Sequence, residues 1–139
     1  MRVAYVSSKQ TRDQIKLDVL ALVGPKYRPV PLGGESYRLG NAVVHARYCS
    51  SGKGNYKFNI NPNSLRANYE LWICGDAKHY YLLPTEVLRQ MYEHPAAYPD
   101  NHHPEIRVVS VDALIHRVSY AAPSITLDLN PYFRANLRP

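Results

Sequence analysis

The run Tyr69–Cys74 (YELWIC) is apolar at nearly every position after Glu70. A strand with that pattern belongs at the centre of a sheet rather than at its rim, because both of its faces need cover. The residues that follow continue the constraint. Residues 75–78 read as a tight turn, and residues 79–83 (HYYLL) return antiparallel. Pro84 or Thr85 then opens a helix running to about Tyr92, with Pro84 suited to its first turn and Val87, Leu88 and Met91 as an apolar stripe. A chain of 139 residues has room for one hydrophobic core, so residues 1–139 are expected to form a single domain.

Upstream, residues 11–23 read as a helix with Ile15, Val19 and Leu22 on one face. Thr11 is expected as its N-cap, Asp13 in its first turn, and Gly24-Pro25 as its stop. Residues 3–6 read as a short strand before it. Residues 27–32 suit a sheet edge, since Pro29 and Pro31 cannot donate to a ladder. Gly33-Gly34 and Gly40-Asn41 are turns on either side of an extended stretch, residues 35–39. In Ala42–Cys49, Val44, Ala46 and Tyr48 face one way and Val43, His45, Arg47 and Cys49 the other. The loop SSGKGN at residues 50–55 is expected to close a hairpin onto a strand with Tyr56, Phe58 and Ile60 on one face. Residues 61–64 read as a turn leading into one helical turn, and residues 94–104 as a Pro-rich loop. Residues 106–111, 114–120 and 125–129 supply the last strands. The order implies an α/β or α+β fold: a mixed central sheet, an N-terminal helix, and a second helix near residues 85–92.

Charge is distributed unevenly. Residues 1–66 hold eleven basic and three acidic side chains, a surplus of eight, whereas residues 67–139 hold six basic and eight acidic ones. A one-sided excess of this size points to a polyanion partner, DNA or RNA. No apolar run is long enough to span a membrane, and residues 1–9 lack the apolar core of a signal peptide, so a cytoplasmic location and no membrane partner are expected. Cys49 and Cys74 sit in apolar runs and read as buried free thiols. The six histidines show no metal-ligand spacing, and His102 and His103 are adjacent, so no metal site is expected. Nucleophile-elbow and phosphate-loop motifs are absent.

The expected hairpin is the most informative feature for function. It sets Arg47 and Lys57 on adjacent strands, on faces that also carry His45 and Asn59, with Lys53 at the loop tip and Arg38 on the preceding segment. Hairpin neighbours on one face lie a few ångströms apart, so Arg38, His45, Arg47, Lys53, Lys57 and Asn59 are expected to form one nucleic-acid-binding stripe, with the cations on phosphates.

The order of elements from Thr11 to Leu88 resembles the PD-(D/E)xK nuclease-like fold. "AVVHARYCSSGKGNYKFNI" is similar to the strand-loop-strand that carries E-x-K in that family. "ELWICGDAKHYYLLPTEVL" resembles the strand pair and helix that follow. The resemblance covers a little over half the chain. It implies a carboxylate pair holding Mg²⁺ and a lysine that orients or activates water. Carried over by position, E-x-K falls on His45-Ala46-Arg47, which lacks the carboxylate and the lysine. Arginine does not act as lysine's base, and neutral histidine is a poor Mg²⁺ ligand.

The resulting expectation is a non-catalytic nucleic-acid-binding domain of nuclease-like fold without a cofactor. One alternative is a Mg²⁺-dependent endonuclease with a rearranged site on Asp18, Glu35 and His45. Another is a protein-interaction or assembly subunit, pairing with a protein partner or with its own copies.

Overall fold

In the computed structural model, residues 8–50 and 53–137 are described, with side chains from Thr11 onward. The strand expected at residues 3–6 lies outside the described residues. In chain order the elements are α1 (Ser8–Val23), β1 (Val30–Gly33), β2 (Ser36–Leu39), β3 (Ala42–Cys49), β4 (Asn55–Ile60), a 3-10 turn (Ser64–Arg66), β5 (Tyr69–Cys74), β6 (Tyr80–Pro84), α2 (Thr85–Tyr92), β7 (Arg107–Asp112), β8 (Arg117–Ala121), β9 (Ile125–Asp128) and a second 3-10 turn (Asn130–Tyr132). The fold is α+β, with a mixed sheet, an N-terminal helix and a second helix at the expected place.

The apolar run is central. β5 lies between β3, to which it is parallel, and β6, to which it is antiparallel, in a five-stranded sheet ordered β1-β2-β3-β5-β6. Every residue of β5 after Tyr69 is buried. Parallel neighbours need a crossover of a dozen residues or more. Residues 50–68 provide it, and β4 lies within them.

That crossover overturns the expected hairpin. β4 does not pair with β3. It pairs antiparallel with β7, at the edge of a second, four-stranded sheet ordered β4-β7-β8-β9. Both edges of β3 are already taken, by β2 and by β5. The apolar face of β4 instead needs a facing layer, and it finds one on β5: the Phe58 ring stacks on Trp72 with centroids 5.1 Å apart. The short Gly/Ser-rich loop therefore carries the chain between sheets rather than between paired strands.

Three layers result. Val19, Leu20 and Val23 of α1 pack on Val44, Ala46, Leu71, Ile73 and Leu82, one face of the first sheet. The opposite face, with Trp72, Cys74, Tyr81 and Leu83, packs on Phe58, Ile60, Val109, Val111 and Val118 of the second sheet and on Leu88 and Met91 of α2. The alternation read along β3 and β4 is the one observed.

Several local boundaries shift by a residue or more, and two of the shifts change the reading of named residues. α1 begins at Ser8, so Thr11 and Asp13 lie inside it rather than at its cap and first turn. The residues before Thr11 include no Gly or Pro to stop the helix, and continuing it adds backbone hydrogen bonds. The second shift is at residues 114–116, which belong to the β7–β8 connection, with His116 at φ +54°. At the sheet edge, Pro29 and Pro31 reduce the donors on the β1 side, which discourages pairing with another chain. Among the described residues, no helix is long and apolar enough to cross a membrane.

Cys49 and Cys74, 25 positions apart in sequence, are register partners across β3 and β5, and both are free thiols. Burial, with Cys49 beside it, pushes the Cys74 thiol up, so it stays protonated at neutral pH.

Gly40 in the β2–β3 turn has φ +61°, and a β-carbon there would stand 2.7 Å from the Tyr27 ring. Gly40→Ala is expected to cost about 1–2 kcal/mol through the backbone alone, and more where the ring resists. Gly34 has φ +57° with nothing within 4 Å, so Gly34→Ala should show the backbone cost only. Urea midpoints of the two variants test the difference. Equal losses would rule out a contribution from Tyr27.

Candidate functional site

Period-two alternation sends His45 and Arg47 to the face of β3 that looks toward the second sheet. Parallel register then sets Glu70 beside His45 and Trp72 beside Arg47 on β5. His45 Nδ1 lies 3.0 Å from Glu70 Oε1. Trp72 Nε1–H donates to Glu70 Oε2 at 2.6 Å. Glu70 is 0% exposed, and the His45 side chain is 12% exposed. Both oxygens of a fully buried carboxyl group are thus engaged, one by a donor-only indole and one by an imidazole. With Nδ1–H donating to the carboxylate, neutral His45 carries its lone pair on Nε2.

A second set of contacts ties the layers together. Arg47 Nη1 donates to the Asn59 carbonyl at 3.0 Å, and Arg47 Nε lies 3.8 Å from Glu35 Oε1. Lys16 Nζ, on a nearly buried side chain of α1, donates to Glu35 Oε2 at 3.2 Å. Glu35 itself is held beside β3, where its carbonyl accepts the Ala46 N–H at 2.9 Å. The sequence α1–Lys16–Glu35–Arg47–Asn59 therefore links the helix, the first sheet and the second sheet.

The six residues of the expected stripe divide. Arg38 is exposed on β2 opposite Val43, so it shares the face of His45 and Arg47 and lies diagonally from His45. Lys57 and Asn59 fall on the outer face of the second sheet, the side opposite Phe58 and Ile60. Only the backbone of Asn59 reaches Arg47. Lys53 is exposed in the connecting loop. The single stripe is thus corrected to Arg38, His45 and Arg47 on one sheet face, Lys57 and Asn59 on the outer face of the other sheet, and Lys53 in the connection between β3 and β4, because β3 and β4 belong to different sheets.

Asp18, Glu35 and His45 do not meet as one donor set. Asp18 is exposed and accepts a hydrogen bond from Gln14 at 2.8 Å, while Glu35 and His45 have the partners already described. Among the described residues, no group of three or more His, Cys, Asp or Glu side chains is placed to hold a metal ion. A concavity of about 700 Å³ lined by Tyr69, Leu82, Pro84 and Tyr132 lies elsewhere. Its Tyr69 and Leu82 belong to the α1 side of the sheet.

Lys16, Glu70 and Trp72 were not singled out by sequence. Glu70 had a readable signal: an acid inside a strand otherwise fit for full burial requires a donor. Its identity depended on register. No family model, curated protein or solved structure matches this chain.

Proposed function

We propose that this chain is a nucleic-acid-binding domain of the nuclease-like PD-(D/E)xK type, one that lacks the magnesium chemistry of that family. The observation that carries this reading is the clustering of Arg38, His45 and Arg47 on one face of the β2–β3 ladder. They belong to the half of the chain with the large basic surplus. Arg38 is the exposed phosphate contact. Arg47 is partly committed to Glu35 and Asn59 and acts as a second, oriented donor. Lys53 contributes from the β3–β4 connection and Lys57 from the outer face of the second sheet. In the E-x-K positions, His45 and Arg47 leave the strand without the carboxylate and lysine that metal-dependent cleavage uses. A cytoplasmic location, where Cys49 and Cys74 stay reduced, is part of the same proposal.

The test is fluorescence anisotropy with labelled single- and double-stranded DNA and RNA. Affinity should fall steeply between about 50 and 200 mM salt, as counterion release requires. Arg38→Glu should weaken binding about tenfold or more and make the salt slope shallower by about one per lost phosphate contact. Absent or salt-independent binding would overturn the reading.

A further inference from the structure

We propose that His45, oriented by Glu70 and Trp72 and flanked by Arg47, is a general base for metal-independent cleavage of RNA. The inference rests on the nucleic-acid reading above and adds a substrate class and an activity to the same site.

Three features carry it. The Glu70 carboxyl uses one oxygen for Trp72 Nε1–H and presents the other to His45 Nδ1, which orients the ring and leaves Nε2 as its basic nitrogen. Among the described residues, neither Nε2 of His45 nor Nη2 of Arg47 makes a hydrogen bond within the protein. Arg47 stands two residues along the same strand face, about 7 Å of extended backbone from His45, so a guanidinium and an imidazole lie on one side of β3. A fully buried carboxyl group in a central strand is costly where packing alone is wanted, since apolar side chains of similar size hold such a core equally well or better.

These residues suit RNA because its nucleophile is already in the substrate. His45 Nε2 takes the proton of a ribose 2′-hydroxyl. The 2′ oxygen forms a bond to phosphorus, and the bond from phosphorus to the 5′ oxygen breaks. The imidazolium returns its proton, through water, to the leaving 5′ oxygen. Arg47 donates to the phosphoryl oxygens as their charge grows. The products are a 2′,3′-cyclic phosphate and a 5′-hydroxyl, and no water, metal or electron is consumed. Glu70 and Trp72 are positioning residues, acting through His45.

The experiment incubates the full chain with an RNA oligonucleotide, the same sequence in DNA, and a fully 2′-O-methylated RNA, all in EDTA. Binding is measured in parallel. The expected result is cleavage of RNA alone, with cyclic-phosphate ends. His45→Gln, purified identically, should lower cleavage by about a hundredfold or more. Its RNA binding, measured beside it, should fall far less than its cleavage, because Arg38 and Arg47 remain. Glu70→Gln places an amide against Nδ1. Where it folds, it should lower kcat with KM nearly unchanged, which a purely structural role would not produce. Should Glu70→Gln fail to fold, the His45→Gln comparison decides alone. RNA that is bound but left intact at every pH between about 5 and 8 would overturn this inference and leave the binding proposal standing. Cleavage that persists undiminished in His45→Gln, or that extends to DNA, would overturn it as well. Absence of binding would mean that the underlying reading has failed.

Discussion

Glu70→Ala is expected to destabilise the protein by about 1–3 kcal/mol for each of the two buried donors that it leaves without an acceptor. The size follows from what remains. Trp72 Nε1–H and His45 Nδ1 lose their shared acceptor inside a site that is 0% exposed at Glu70 and Trp72. Glu70→Gln keeps an oxygen acceptor for the indole and should lose less. The informative comparison is a double variant, Glu70→Leu with Trp72→Phe, which removes the acceptor and the indole donor together. It should be more stable than the two single losses predict, because a buried group left unpaired costs more than a pair removed cleanly. Urea unfolding with an unchanged m-value measures this. A Glu70→Ala loss below about 1 kcal/mol, no more than an ordinary exposed pair contributes, would mean that the network adds little to stability.

The second large effect is at Trp72. It is fully buried, stacks on Phe58 at 5.1 Å with rings 9° apart, and belongs to the core between the two sheets. Trp72→Ala removes the contact that holds β4 over β5, and the expected loss is about 3–5 kcal/mol. That is a large fraction of the roughly 5–15 kcal/mol that typically stabilises a domain. Trp72→Phe retains most of the ring area but leaves Glu70 Oε2 without its donor, so about 1–3 kcal/mol is expected. A Phe variant as damaging as Ala would show that the indole hydrogen bond, and not the stacking, is the main contribution. Replacing Phe58 by Leu should weaken the same contact from the other sheet, with a smaller loss.

Both experiments probe the junction where sequence reading and structure part company. The alternation in β3 separated Val44 and Ala46 from His45 and Arg47, and the two sets do face different layers. The alternation in β4 likewise identified Tyr56, Phe58 and Ile60 as an inward face. The burial of β5, the turn before β6 and the Thr85–Tyr92 helix were legible for the same reason: each depends on residues close together in the chain. Of the candidate site, Arg38, His45 and Arg47 share one sheet face, whereas Lys57 and Asn59 point away from it.

What the sequence determined by itself is therefore the face that each strand presents and the places where the chain turns, because period, proline and glycine act over a few residues. Strand partnership was decided only by the tertiary structure. A two-residue period states which side of a strand is apolar but is silent on which edge meets which neighbour. β4 was sent to a second sheet because β2 and β5 had filled both edges of β3. The same parallel pairing brought Glu70 against His45 across 25 residues of sequence, a contact that no local pattern encodes.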